Sequence, residues 1–151
     1  MDQIDLKILE LLQQDAKITA KDLSSRLSLS ATPIYERIRK LEKQGIIKRY
    51  VAILDPEMVD RGLVVFLNLT IKEHNPEARN RLLKQLTDLN EITELYHTSG
   101  TYDFVAKVRF ANIKEYKEFL VNKVASIENI ADIESHIVLD EIKHSTQINL
   151  R

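Results

Sequence analysis

Apolar side chains recur at helical spacing in three consecutive segments at the start of the chain. At about 100° per residue, the members of each set fall on one side of a helix and predict a buried face. Three such faces are enough to close a small core, so the sequence predicts a three-helix unit. The sets are Ile4, Ile8, Leu11 and Leu12, then Ala20, Leu23 and Leu27, then Ile34, Ile38 and Leu41.

Capping residues show how closely the second and third helices follow each other. Thr19 supplies an N-cap oxygen, and Asp22 supplies the carboxylate of a capping box three residues later. Ser30 supplies the next N-cap, and Pro33 lies in the first turn, where a missing N–H costs no intrahelical hydrogen bond. Two short helices so closely joined predict a helix-turn-helix over residues 20–39.

The third helix carries a polar stripe opposite its apolar one. Residues 31–50 hold six basic and two acidic side chains, a local charge of +4, whereas the whole chain carries −1. Most charge runs are solvated helix faces. Here, however, the positive charge lies on the one helix whose other face is committed to packing, which favours contact with nucleic acid.

We therefore expect this helix to bind DNA, with a division of labour between base edges and phosphates. Arg37 lies at the edge of the buried stripe, where we expect a structural pairing with a neighbouring carboxylate. The expected base contacts are Thr32, Tyr35, Glu36 and Arg39; the expected phosphate contacts are Lys40, Lys43, Lys48 and Arg49; Ser30 lies at the start of the same surface.

A change of pattern after Gly45, a predicted helix C-cap, marks the boundary between two domains. Residues 46–54 are predicted to be extended, and the turn signal Asp55-Pro56-Glu57 opens a short linker to residue 62. We thus expect a DNA-binding domain over 1–46, a strand and linker over 47–62, and a further domain over 63–151.

The rest of the chain alternates strand and helix periods in the order β-α-β-β-α-β, which predicts an α+β, ferredoxin-like sandwich with both helices on one sheet face. The other face stays partly apolar, which favours a dimer. The predicted strands are 63–71, Ile92–Thr98, Tyr102–Phe110 and Ile133–His144; Asn75-Pro76 and Asn112 open the helices, the second carrying Ile113, Tyr116, Leu120 and Val124; the uncovered face includes Val64, Phe66, Asp103, Val105 and Lys107.

Short motifs stand in a characteristic order and spacing throughout the chain. They include Asp2-Gln-Ile-Asp5, Asp15-Ala-Lys-Ile18, Thr32-Pro33 with Glu36-Arg37, Gly45-Ile46-Ile47, Leu54-Asp55-Pro56, Gly100-Thr-Tyr-Asp103 and Ile137-Val138-Leu139. With these motifs the chain resembles the leucine-responsive regulatory protein (Lrp) and AsnC group of bacterial and archaeal transcription regulators.

The resemblance implies a homodimer, in which the strand after the helix-turn-helix pairs with the same strand of a second chain. In this family dimers often assemble into octamers, and an amino-acid effector binds at the contact between dimers, on the Gly-x-x-Asp hairpin. The resemblance therefore assigns effector binding to Thr98, Gly100, Tyr102, Asp103 and Ser135. Where the family often has two Thr on the last strand, this chain has Ile133 and Ser135. Two recognition helices related by a dyad imply an inverted-repeat operator.

Two other functions share parts of this pattern. An architectural DNA-binding protein of the same fold would keep the basic helix and need no effector. A siroheme-decarboxylase-like enzyme shares the layout, but the four His (His74, His97, His136, His144) lack metal-ligand spacing and no catalytic motif is present. The chain has no Cys, no apolar run of membrane length and no signal segment, so we expect a cytoplasmic protein without membrane contact. From the missing motifs we expect that it is not an enzyme and that it holds no cofactor and no metal.

Overall fold

The computed structural model describes residues 1–150. The chain divides into two compact units, one formed by Met1–Ile53 together with the segment from Lys143 onward, the other by Leu54–Ile142. The second unit therefore differs at both ends from the expected 63–151 domain. Within residues 1–150, every helix is too short or too polar to cross a membrane.

Three helices form the first unit, and their termini follow the capping residues. Asp2 caps α1 through a capping box with Asp5, and Thr19 caps α2 by accepting the Asp22 N–H at 3.1 Å. Ser28, at φ 54°, ends α2 in the left-handed conformation and turns the chain toward α3. The helices are α1 (Gln3–Gln14), α2 (Ala20–Leu27) and α3 (Ala31–Lys43).

The predicted apolar faces meet in the core of this unit. Ile8, Leu23 and Ile34 are fully buried, and Leu41 is nearly so. Beyond Gly45, residues 48–55 form neither helix nor strand within this chain. The pairing of this segment with a second chain thus stays a prediction.

The second unit has the predicted β-α-β-β-α-β order, and its four strands form one antiparallel sheet in the order β2-β3-β1-β4. Asn75 and Asn112 cap the two helices by accepting backbone N–H groups three residues on. The elements are a 3-10 turn (Glu57–Val59), β1 (Leu63–Ile71), α4 (Pro76–Thr87), β2 (Ile92–His97), β3 (Phe104–Phe110), α5 (Ile113–Phe119, continued by a π turn over Leu120–Val124) and β4 (Ile130–Ile137).

Both helices cover one face of the sheet, as predicted. Alternate residues of β1 and β3 pack against Leu82 and Leu86 of α4 and against Tyr116 and Phe119 of α5. The prediction that Ile113 belongs to the buried face of the last helix is wrong, because Ile113 is exposed. Ile113 is the first residue of α5, and side chains on a helix lean toward its N-terminus, so burial of this helix begins one turn later, at Tyr116.

The last strand ends sooner than predicted. Within residues 1–150 it pairs with β1 alone, and it runs over Ile130–Ile137 rather than 133–144 because β1 begins at Leu63. Ile137 pairs with Val65, and the Val138 N–H donates to the carbonyl of Val64 before the ladder ends. Past this point the chain has no strand to pair with, and Leu139 is exposed.

The sheet face away from the helices is partly covered within the chain. Lys107 on β3 is only 7% exposed and pairs with Glu94 at 3.4 Å and with Glu141 at 3.7 Å. Arg109 also pairs with Glu141, at 2.9 Å. The carboxylate of Glu141 therefore lies over this face and neutralises Lys107 and Arg109, the two basic side chains of β3.

Candidate nucleic-acid interface and hairpin site

One side of α3 is anchored in the first unit, and the other side is open. Ile34 and Leu41 are buried, while the polar stripe predicted to contact DNA is exposed along its whole length. That stripe can enter a groove without disturbing the core. Its exposed members are Thr32, Tyr35, Glu36, Arg39, Lys40 and Lys43.

Arg37 lies apart from the other basic side chains of α3, as predicted. Its guanidinium donates to Asp5 at 2.6 Å and to Asp2 at 2.7 Å. Burial raises the pKa of Asp5, but the hydrogen bonds from the Asp2 backbone N–H and from Arg37 outweigh it and hold that pKa below its usual value. Arg37 is thereby occupied by α1.

The basic side chains of the predicted phosphate set are not occupied in this way. Within residues 1–150, Lys40, Lys43, Lys48 and Arg49 make no ion pair, and all four are exposed. Ser30 occupies the N-cap position of α3, but its hydroxyl accepts no capping hydrogen bond. That hydroxyl remains available to an outside partner, such as a phosphate oxygen.

Lys48 and Arg49 follow a helix end that two backbone hydrogen bonds close. Gly45 has φ 71°, and its N–H donates to the carbonyl of Glu42 at 2.9 Å, while the Ile46 N–H reaches the carbonyl of Leu41 at 3.0 Å. This pair of bonds is a Schellman motif. It ends the helix and directs the chain toward Lys48 and Arg49.

The hairpin between β2 and β3 gathers four of the five residues predicted to bind an effector. Thr98 bonds twice across the loop, its hydroxyl donating to the Tyr102 carbonyl at 2.7 Å and its N–H to the Asp103 carbonyl at 3.0 Å. Gly100 lies at the tip with φ 150°, a conformation that disfavours side chains. In the described part of the chain, the backbone N–H groups of Gly100 and Thr101 are unpaired.

Asp103 lies where this hairpin meets the end of β1. One carboxylate oxygen accepts the Ile71 N–H at 2.9 Å, and the other lies 3.7 Å from Nδ1 of His74. The Asp103 side chain is 21% exposed. One oxygen thus holds the local backbone, and the other faces the exposed imidazole of His74.

Tyr102 belongs to a polar row that the sequence did not indicate. Its hydroxyl donates to the carboxylate of Glu134 on β4, and that carboxylate also lies 2.8 Å from Nε2 of His136. The hydrogen bond from Tyr102 lowers the pKa of Glu134, and the same bond raises the pKa of the Tyr102 phenol. Only strand pairing brings these residues together, since 32 positions separate Tyr102 from Glu134.

Ser135 lies on the other side of the sheet from this row. It pairs with Leu67 in the strand register, so it shares the face that the helices cover, and its hydroxyl bonds with that of Tyr116 on α5. The structure therefore does not bring Ser135 together with Thr98, Gly100 and Asp103.

The four His do not form a centre. His97 stacks on Phe104 at 4.9 Å between ring centroids, and His136 pairs with Glu134. Among residues 1–150, no group of three or more His, Asp or Glu could hold a metal ion.

Family models match both parts of the chain. A model described as a winged helix-turn-helix DNA-binding domain matches residues 1–48. A model described as the Lrp/AsnC ligand binding domain matches residues 64–148. Together the two matches cover nearly the whole chain.

Individual proteins match along the full length. The leucine-responsive regulatory protein of Haemophilus influenzae is 35% identical over 151 residues, which are 100% of this chain and 91% of that protein. The leucine-responsive regulatory protein of Escherichia coli (strain K12) is 33% identical, with 100% of this chain and 92% of that protein covered.

Solved structures also match this chain over nearly its whole length. The crystal structure of an AsnC family transcriptional regulator from Agrobacterium tumefaciens has a TM-score of 0.95 and 35% identity, and the match covers 99% of this chain and 97% of that one. A transcriptional regulator from Neisseria meningitidis, crystallised as a complex with L-Met, has a TM-score of 0.95 and 31% identity, with the same coverage.

Proposed function

Since this chain belongs to the Lrp/AsnC family of DNA-binding transcription regulators, we propose that α3 reads an inverted-repeat operator and that an amino acid bound at the 98–103 hairpin changes this binding. The observation that carries the first half is the exposed face of α3. Its base-contact candidates Thr32, Glu36 and Arg39 lie beside unpaired basic side chains, while the opposite face is buried.

The charges on this surface support a division of labour. Arg39 presents a planar fork of donors, which suits the O6 and N7 acceptors of guanine, and Glu36 can accept from cytosine N4. Lys40 lies one turn beyond Glu36, and Lys43 lies one turn beyond Arg39. Both lysines carry compact charges that suit phosphate oxygens. Because one helix reads only a few base pairs, the protein acts as a homodimer on DNA. Membership of the family supports further assembly of these dimers into an octamer.

The hairpin has the polar groups that an α-amino acid requires. The oxygen of Asp103 that does not hold Ile71 suits an ammonium group, and the unpaired N–H groups of Gly100 and Thr101 suit a carboxylate. The relative from Neisseria meningitidis, crystallised with L-Met, supports this class of ligand. Ser135 is not part of the proposed site, because its hydroxyl is bonded to Tyr116 on the helix side of the sheet.

A thermal-shift screen of the full chain against the twenty amino acids tests the effector. A ligand that binds only the native state raises its apparent stability. We expect at least one stabilising amino acid, and we expect Asp103→Asn to abolish its effect. Asn keeps an oxygen for the Ile71 N–H but removes the charge, so this variant should stay folded.

Asp132→Asn is the matched control, because Asp132 is an exposed carboxylate on β4 of the same sheet. It should respond to ligand as the wild type does. Sedimentation and operator affinity are then measured at saturating ligand. If no amino acid stabilises the protein, the amino-acid effector proposal is wrong, which favours an effector-independent architectural protein or an effector of another class.

A further inference from the structure

Two exposed side chains on α3 lie against each other one turn apart. The guanidinium carbon of Arg39 is 5.8 Å from the centroid of the Tyr35 ring, within the range of a cation–π contact. Residues i and i+4 share one face of a helix, so both lie in the stripe proposed to enter the DNA groove.

Neither side chain has another bonded partner in residues 1–150. The hydroxyl of Tyr35 makes no hydrogen bond, and Arg39 makes no ion pair. Tyr50 and Arg37 of the same unit differ, since Tyr50 donates to Glu42 at 2.9 Å and Arg37 is held by two carboxylates. Tyr35 is also 57% exposed, so packing does not explain an aromatic residue at this position.

We propose that Tyr35, expected from the sequence to contact a base itself, is instead a positioning residue for Arg39, and that it acts through its ring and not through its hydroxyl. A free Arg side chain samples many rotamers and loses that freedom when it binds a base. Tyr has two side-chain torsions and is already restricted by the helix. The ring therefore holds the guanidinium over the exposed face before DNA arrives, which lowers the entropy cost of the contact.

This inference rests on the proposed function, because it needs Arg39 to read a base. It adds that the preferred base is guanine, whose O6 and N7 accept both arms of the guanidinium. It also predicts that Tyr35 affects specificity only through Arg39. Removal of the Tyr35 ring weakens binding to the operator that carries this guanine, and leaves binding to random DNA unchanged.

The test uses the full chain and an operator selected from randomised duplexes. Affinity is measured for that operator, for its variants at each guanine and for random DNA, with Tyr35→Phe, Tyr35→Leu, Arg39→Ala and the double variant Tyr35→Leu/Arg39→Ala. Phe keeps the ring and removes only the hydroxyl. Leu keeps an apolar side chain of good helix propensity but has no ring.

We expect Tyr35→Phe to match the wild type. Tyr35→Leu should lose about two- to fivefold in operator affinity, the value of an exposed cation–π contact, and keep its affinity for random DNA. In the Arg39→Ala background the same Leu substitution should have no further effect.

Three outcomes overturn the inference and can be told apart. A loss in Tyr35→Phe equal to that in Tyr35→Leu means that the hydroxyl contacts DNA directly. An undiminished loss from Tyr35→Leu in the Arg39→Ala background means that Tyr35 acts independently of Arg39. An unchanged base preference in Arg39→Ala removes the base-reading role of Arg39 itself, and with it that part of the proposed function.

Discussion

Arg37 in the middle of α3 donates a hydrogen bond of 2.6 Å to Asp5 in the first turn of α1. The same guanidinium reaches Asp2, the N-cap of α1, so one side chain fixes α3 against the start of another helix. The Asp5 side chain is only 11% exposed. A buried carboxylate of this kind requires a cationic partner, and this requirement explains why Arg37 faces inward while Arg39 and Lys40 face out.

The Arg37–Asp5 pair should make stability depend on pH. The pKa of Asp5 in the folded chain lies below the ordinary value of 3.8, so its contribution is present above that value and is lost as the pH falls through the folded pKa. Removing Arg37 removes one cause of the lowered pKa. We expect Arg37→Gln to lower the free energy of unfolding near neutral pH, and to flatten its fall on acidification.

Urea unfolding followed by far-UV circular dichroism, from about pH 6 down to about pH 3, measures both effects. Lys40→Gln removes the same charge from the exposed side of the same helix, and its free energy of unfolding should show the same pH dependence as that of the wild type. If Arg37→Gln also ran parallel to the wild type, the pair would make no contribution to the acid sensitivity of the fold.

Gly45 provides a test of the helix end that precedes the basic residues. At φ 71° a Cβ strains the backbone, although no other atom lies within 4 Å of its position. We expect Gly45→Ala to cost about 1 kcal/mol of unfolding free energy, and Gly45→Asn to cost less because Asn tolerates this conformation. Thermal unfolding of both variants checks the order. An equal loss in both would mean that strain of the backbone at φ 71° is not the cause.

Much of this fold follows from local sequence. Caps at Asp2, Thr19, Asn75 and Asn112 are short-range signals, because each side chain bonds backbone atoms two or three residues away. The order of strands and helices follows from periodicity in the same way. Arg37 could be assigned a structural role because its position on the helix wheel already placed it beside the buried stripe.

What the sequence could not provide depends on partners distant in the chain. The end of β4 is set by the start of β1, and the pairing of Tyr102 with Glu134 is set by strand register. The side of the sheet on which Ser135 lies follows from that register as well. The point at which burial of α5 begins, at Tyr116 and not at Ile113, also depends on tertiary packing and not on the helical period.

The basic side chains should separate into two classes on DNA. We expect Arg39→Ala to cost about 1–3 kcal/mol on the operator and to relax base preference at one position of each half-site. Lys43→Ala should weaken binding to operator and random DNA alike and reduce the dependence of affinity on salt, because it releases fewer counterions. Fluorescence anisotropy over a series of salt concentrations measures both. Equal losses on both kinds of DNA for the two variants would contradict the division.

The C-terminal segment should contribute to the stability of the DNA-binding unit. The side chain of Gln13 on α1 donates to the carbonyl of Ile148 at 3.1 Å and accepts its N–H at 2.6 Å. Leu150 packs against the core cluster formed by Ile8, Leu9 and Leu41. The segment that follows the second unit therefore packs into the three-helix unit, which is formed by two separate parts of the chain.

Leu150→Ala and Ile148→Ala make a matched pair, because Leu150 is half-buried whereas Ile148 is 70% exposed. We expect the Leu150 change to cost roughly 1 kcal/mol, in proportion to the apolar area it buries, and the Ile148 change to cost almost nothing. Hydrogen exchange of peptides from α1 and α3 locates the loss in the first unit, since only local opening there should become easier. Equal protection in the wild type and Leu150→Ala would mean that the segment lies on this unit without stabilising it.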